Sequence, residues 1–214
     1  MGALASRSSP LCGLDEVGRG ALAGPLVAAA VVLPPDFESL AGEWRPLVRD
    51  SKTLTRGQRV RVDHLLRAHA VSVRLEIIPT SEINDHGIGW ANREAFRRLI
   101  CQVEADEYVV DGNLCLQLPT RYGGLVRSQC NADETVPAVS AASIVAKVFR
   151  DTLMGELHRA HPMYGWSSNA GYGTREHVSA LQCHGPCQHH RRDFVETALS
   201  HPYGVSSLGP RASS

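Results

Sequence analysis

The chain has very little lysine. Lys52 and Lys147 are the only two among its 22 basic residues, and the rest are arginines. It has no net charge either, with 22 basic side chains against 22 acidic ones and a pI near 7.1. That argues against a protein that grips nucleic acid through a generally basic surface, and it leaves room for a local basic groove. No apolar run approaches the ~18 residues that a membrane helix needs, so no membrane association is expected. Residues 1–10 lack the apolar core of a signal peptide. The stretch Met1-Gly2-Ala3-Leu4-Ala5-Ser6 fits the loose myristoylation pattern only as small-residue N-termini do by chance. A cytoplasmic protein is expected. Its six cysteines are scattered, which fits free thiols in a reducing compartment. Cys183 and Cys187 sit among histidines but have no second cysteine pair, so they read as a thiol-bearing loop rather than a zinc site. No internal repeat is visible. With 43% hydrophobic and 21% charged residues over 214 positions, the composition is that of an ordinary globular protein, one domain with a small appendage.

Against that plain background, Gly13-Leu14-Asp15-Glu16-Val17-Gly18-Arg19-Gly20 stands out. Two adjacent carboxylates end an apolar run, and a Gly-Arg-Gly turn follows at once. Neighbouring acids repel, and burying either one unpaired is costly. A divalent cation with oxygen ligands relieves both problems. The turn offers backbone N–H groups and a guanidinium, which suit phosphate and sugar oxygens. A solvated acidic pair in a surface turn is the plainer alternative.

Patterning supplies the frame. Leu11–Val17 and the apolar run 24–33 read as strands joined by a hairpin through 18–25, and 34–54 reads as a loop. Thr55-Arg56-Gly57-Gln58 is a capping box that opens a helix to about Ala68. The alternation of Val71, Val73, Leu75 and Ile77 predicts a strand with one buried face. Residues 82–86 make a helical turn. The helix 90–103 carries the stripe Ala95, Phe96, Leu99 and Val103, with Asn92 inside it as hydrogen-bonded core or as a group reaching into a site. Residues 107–111 form a strand ending in Asp111, and 121–131 a loop with an edge strand. The longest helix spans 138–159, with Ser140, Ser143, Lys147 and Asp151 on its polar face. A Gly-rich loop (162–173) and helices over 174–182 and 192–199 follow, and the tail 201–214 reads as disordered.

Acids from three places compete for one centre: Asp15-Glu16, Asp111, and either Asp133-Glu134 or Asp151. Ligands gather at strand ends in open sheets. If the strand carrying Asp111 lies beside the first, the carboxylates meet there. Two metal ions about 3.5–4 Å apart would resolve their repulsion and catalyse phosphoryl hydrolysis. Neighbouring strand residues face opposite ways, so Glu16 must be twisted round at the Val17-Gly18 break or contribute through its backbone.

Six motifs occur in order: the octapeptide, Asp50-Ser51-Lys52, Val110-Asp111-Gly112, the run Ser140–Lys147, Gly171-Tyr172 and His190-Arg191-Arg192. Together they resemble bacterial ribonuclease HII, the type 2 ribonuclease H, over about residues 11–199. The resemblance implies an α/β, RNase H-like fold: a mixed five-stranded sheet flanked by helices, with a C-terminal helical extension. Residues 1–10 read as a flexible lead and 201–214 as a tail, and between them the resemblance implies a catalytic domain over 11–160 and the extension over 161–200. It implies an endonuclease, dependent on two Mg²⁺ or Mn²⁺ ions, that cuts RNA in RNA–DNA hybrids. It further implies incision 5′ to single ribonucleotides in duplex DNA, leaving a 3′-hydroxyl and a 5′-phosphate. The metal-binding acids carry over to Asp15, Glu16, Asp111 and Asp133, the last placed by its distance of eight residues before Ala141. Gly18, Arg19 and Gly20 would read the 2′-hydroxyl, Tyr172 would stack on the ribose, and Lys52 and Lys147 are the phosphate-contact candidates. The partners implied are RNA–DNA hybrids and ribonucleotide-bearing DNA, bound by a monomer. No clamp-binding peptide is legible in the tail.

Two departures from the family pattern stand out. Glu134-Thr135 stands where the family usually has lysine and serine, which puts metal affinity in question. Asp193 stands in place of a serine late in the chain. A degenerate relative that holds hybrids without cutting is the competing class. A junction resolvase or a type 3 ribonuclease H is the competing enzyme.

Overall fold

The first two apolar runs become β1 (Leu11–Val17) and β2 (Leu26–Val32). The structure is a computed structural model that describes residues 10–40, 42, 45–49 and 53–200. Every residue of β2 is buried, because Leu-Val-Ala-Ala-Ala-Val-Val has no polar position to offer water. The stretch expected to be a loop after β2 instead carries two short helices, α1 (Phe37–Leu40) and α2 (Arg45–Arg49). Phe37 and Val48 are buried, so these turns are held by apolar anchors too sparse to show a period.

Helix α3 (Arg56–His69) starts where the capping box predicts. The Thr55 hydroxyl accepts from the Gln58 N–H, and the Thr55 N–H donates to Gln58 Oε1 at 2.9 Å. Strand β3 (Ser72–Ile78) forms, but not with the predicted face. Val71 is 65% exposed and Ile77 40%, whereas Ile78 is fully buried. A strand at the end of a sheet has less to bury, and tertiary context overrides its alternation. Helices α4 (Thr80–His86) and α5 (Ile88–Gln102) follow. In α5, Ala95, Phe96 and Leu99 form the expected buried stripe. Asn92 is buried as well, but neither of its amide atoms has a hydrogen-bond partner among the described residues.

Strands β4 (Glu107–Asp111) and β5 (Val126–Gln129) complete a five-stranded sheet of order β3-β2-β1-β4-β5. β1 runs parallel to β4 with Leu14 opposite Val110, and β4 runs parallel to β5 with Asp111 opposite Gln129. A parallel neighbour needs a long crossover, so everything from β2 to α5 lies between β1 and β4 in sequence. The one-turn α6 (Ala132–Thr135) leads into α7 (Pro137–Ala160), which begins with a proline in the first turn, where its missing N–H costs nothing. Small residues let α7 come close to β1: a Cβ on Gly13 would lie 2.2 Å from the backbone of Ala138 and Val139. Ser140 is not on the polar face as expected; it is buried and its hydroxyl donates to the Val48 carbonyl. Beyond α7 come the one-turn α8 (Trp166–Asn169), α9 (Arg175–His184), capped by Thr174, and α10 (Arg192–Ser200).

The chain divides into two compact units. One comprises residues 1–16, 28–76 and 93–148, and the other 17–27, 77–92 and 149–214. The first holds most of β1, β2 and β3, all of β4 and β5, and the start of α7. Its Cys12 thiol is buried and pushed up to about 12 by desolvation, so it is a packing residue rather than a reactive one. The second has its own core of Leu22, Met154, Tyr164, Trp166, Val178 and Leu181. There the Tyr164 and Trp166 rings stack at 5.1 Å.

Candidate active site

The first unit contains the four candidate acids. Asp15 is the fifth residue of β1 and is 7% exposed. Its carboxyl is held well above the usual carboxylate range, first by burial and then by the negative charge of Glu16. The Ser143 hydroxyl, donating from α7, works the other way, and Asp111 adds further repulsion. The Glu16 N–H donates to Asp15 Oδ1 at 2.7 Å. The Glu16 backbone thus orients its neighbour Asp15. The β1–β4 register sets Leu14 opposite Val110, so the next residues, Asp15 and Asp111, follow on adjacent strands at one level. Asp111 Oδ1 accepts from the Ala132 N–H at 2.7 Å, which ties the end of β4 to the start of α6. The next residue, Asp133, is 8% exposed.

Among the described residues, no three Asp, Glu, His or Cys side chains are gathered tightly enough to form a finished site for one ion. That holds for Cys183, Cys187 and the neighbouring histidines, whose loop is held instead by the Cys187 N–H donating to His190 Nδ1. It holds for the acids too. Yet the acids fit hard cations by chemistry: all donors are oxygen, and Asp15 is pushed toward its neutral form by burial first and by the Glu16 and Asp111 charges after it, a penalty that a cation would relieve.

The second unit contains Gly18, Arg19, Gly20 and Tyr172. Gly18 has φ +91°, and a Cβ there would lie 2.2 Å from Arg150 Nε, so only glycine fits. Arg19 and Gly20 are exposed. The Leu22 and Ala23 N–H groups both donate to the Gly171 carbonyl, at 2.8 and 3.1 Å. The Asn169 side chain accepts from the Gly171 N–H and donates to the Tyr164 carbonyl. Tyr172 is 36% exposed and its ring centroid is 5.4 Å from the Arg150 guanidinium.

A chain of two buried histidines holds the Tyr172 main chain. The Cys187 N–H donates to His190 Nδ1, which leaves the His190 proton on Nε2. His190 Nε2–H then donates to His177 Nε2 at 3.1 Å, which also accepts from Trp166 Nε1–H. His177 keeps its proton on Nδ1 and donates to the Tyr172 carbonyl at 2.9 Å. The network assigns these tautomers, and it needs both rings neutral. Burial, then the nearby His177 ring, pushes His190 down to about 4. An unfolded histidine titrates near 6.5, so below that pH the unfolded chain takes up a proton that the folded one refuses. Stability should fall from about pH 6.5 to about pH 4, by roughly 3 kcal/mol from this ring. Thermal melts across that range should show the slope in the wild type and a flatter one in His190→Gln. Equal slopes would contradict the network.

The ribonuclease HII family model matches residues 12–197. The chain belongs to the ribonuclease HII family. Ribonuclease HII of Burkholderia thailandensis is 44% identical over 189 residues, covering 86% of this chain and 83% of that protein. Ribonuclease HII of Burkholderia pseudomallei is equally similar. Among solved structures, the ribonuclease HII of Archaeoglobus fulgidus in its complex with PCNA aligns at a TM-score of 0.72. Its identity is 25%, with 85% of this chain and 93% of that one covered. The ribonuclease H2 of Pyrococcus horikoshii aligns at 0.71 with 25% identity, over 90% of this chain and 98% of that one. The Bst-RNase HIII complex with Mn²⁺ aligns at 0.61 with 20% identity, a likeness of fold. The mixed five-stranded sheet flanked by helices is thus the fold of ribonucleases HII and HIII, and this family member is a ribonuclease H endonuclease acting on RNA–DNA. Among the described residues, no helix is long and apolar enough to cross a membrane.

Of the candidate lysines of this ribonuclease HII relative, Lys147 is half-buried on α7, and Lys52 lies outside the described residues. Sequence reasoning missed three side chains. Ser143 was placed on a polar face, but nothing marked it as the hydroxyl that reaches Asp15. Arg150 and Arg191 carried no sign of burial, since arginine is among the residues least often buried.

Proposed function

We propose that this ribonuclease H incises 5′ to single ribonucleotides in duplex DNA as well as RNA in hybrids, leaving a 3′-hydroxyl and a 5′-phosphate. Asp15, Glu16, Asp111 and Asp133 would hold the divalent ions, Mg²⁺ or Mn²⁺ and two during catalysis. When bound, such ions lower the pKa of a water and offset charge on phosphate and leaving-group oxygens. The observation that carries this reading is the β1–β4 register, which sets Asp15 and Asp111 at one level on adjacent strands, with the buried Asp15 carboxyl raised first by desolvation and then by the Glu16 charge.

The protein's own groups prepare that chemistry. The Ser143 hydroxyl and the Glu16 N–H orient Asp15, and the Ala132 N–H orients Asp111. Carboxylates fixed in this way need no reorganisation when substrate arrives. The exposed backbone of Arg19-Gly20 would donate to the 2′-hydroxyl, the group that distinguishes RNA from DNA. The half-exposed Tyr172 ring would stack on the ribose, and Lys147 would contact phosphate. No side-chain nucleophile is required. Incubation of a duplex bearing one ribonucleotide with Mg²⁺, Mn²⁺ or chelator tests the proposal. A nick on the 5′ side of the ribose, absent with chelator, is expected. Cutting elsewhere, or cutting that survives chelation, would refute it.

A further inference from the structure

Arg150 and Arg191 have no solvent exposure at all. Their side-chain hydrogen bonds go to main-chain carbonyls. Arg150 donates from Nε to Pro25 at 3.0 Å, from Nη2 to Ala23 at 3.0 Å and from Nη1 to Ala170 at 2.8 Å. Arg191 donates from Nε and Nη2 to Gly24 at 3.0 and 2.9 Å, and from Nη1 to Arg19 at 3.0 Å. Its own N–H donates to the Leu22 carbonyl at 2.8 Å. Carbonyls satisfy donors but do not neutralise charge. Burial and the neighbouring Arg150 charge push Arg191 down to about 9. Two like charges removed from water cost several kcal/mol each, and a loop could be closed more cheaply by neutral groups. The arrangement therefore calls for a reason other than stability.

What the two guanidiniums grip is specific. Their carbonyl partners are Arg19, Ala23, Gly24 and Pro25 on one segment and Ala170 on the other. Arg150 bonds to both segments, fills the space that a side chain at Gly18 would need, and lies over the Tyr172 ring. We infer that Arg150 and Arg191 are positioning residues that lock the Gly18–Pro25 loop to the Ala170–Tyr172 segment and so set the preference for a lone ribonucleotide over continuous RNA. This rests on the proposed ribose-reading role of Gly18, Arg19, Gly20 and Tyr172. A lone ribonucleotide offers one ribose to the loop, so a displaced loop loses its only contact. Continuous RNA offers a ribose at every step, and a small displacement can be absorbed.

Lysine keeps the charge but lacks the planar fork that reaches several carbonyls at once. Arg150→Lys and Arg191→Lys therefore separate geometry from charge. The measurement is kcat/KM with Mg²⁺ on a duplex with one ribonucleotide and on an RNA–DNA hybrid, for the wild type and both variants. Each variant should lose the ratio of the two by about tenfold, as small misplacements of a binding group do, with hybrid cutting retained. The ratio does not depend on the fraction of protein folded, and either variant alone suffices to read it. A ratio equal to that of the wild type, with both activities lowered together, would overturn the inference. A wild type that cuts hybrid but never the lone ribonucleotide would instead defeat the proposed function on which the inference rests.

Discussion

Asp111→Asn should cut RNA–DNA hybrids on the order of 10³-fold more slowly than the wild type while remaining folded. The loss follows from removing one full negative charge and one hard oxygen ligand from the acid group. The retained fold follows from geometry. The bond from the Ala132 N–H to Asp111 Oδ1 needs only an acceptor, and the asparagine carbonyl supplies it. The sign of the stability change is also fixed. Asp111 is one of the charges that hold the Asp15 carboxyl up, so neutralising it relieves repulsion in the metal-free protein. The variant should melt at the same temperature as the wild type or higher in the presence of chelator. Near wild-type turnover would remove Asp111 from the site, and a clear loss of stability would show that its role is structural.

Gly13→Ala should produce the largest loss of stability. The new methyl would lie 2.2 Å from Ala138 C and Val139 N and 2.5 Å from the Ala138 carbonyl oxygen. These are backbone atoms at the start of α7 and cannot rotate aside. Overpacking usually costs 1–3 kcal/mol, and a backbone clash exceeds that range, so about 4 kcal/mol is expected. For a chain of this length that corresponds to a fall in Tm of roughly 10 °C. Activity should fall too, because the displaced strand carries Asp15 two residues further on. Gly155→Ala makes the contrast. It lies inside α7 with nothing within 4 Å of its Cβ position. There the same methyl should add about 0.5–1 kcal/mol through helix propensity alone. Urea unfolding of the two variants would check both signs, and similar midpoints would contradict the packing described.

The parts of the molecule governed by short-range rules were legible in the sequence. The all-apolar β2, the Thr55 capping box, the Phe96 and Leu99 stripe and the long α7 all follow from neighbours a few residues away. Asp15, Glu16 and Asp111 stood out because acids at the ends of apolar runs need a special reason to be there. What was not legible depends on distant partners. The buried face of β3 is decided by what packs on it, so the alternation at Val71 and Ile77 misled. Ser140 looked polar-facing until Val48, 92 residues away, proved to be its partner. Arg150 and Arg191 find carbonyls 125 and 172 residues distant, and no local pattern can announce such a pairing. The family resemblance supplied the choice of Asp133 over Asp151, which residue spacing alone left open.

The most direct test of the central claim, that these acids hold divalent ions, is a calorimetric Mn²⁺ titration of the wild type and Asp111→Asn at neutral pH. The account predicts stoichiometric, saturable binding by the wild type and a loss of at least one site or a marked weakening in the variant. Binding that is indistinguishable between the two proteins, or absent from the wild type, would contradict it.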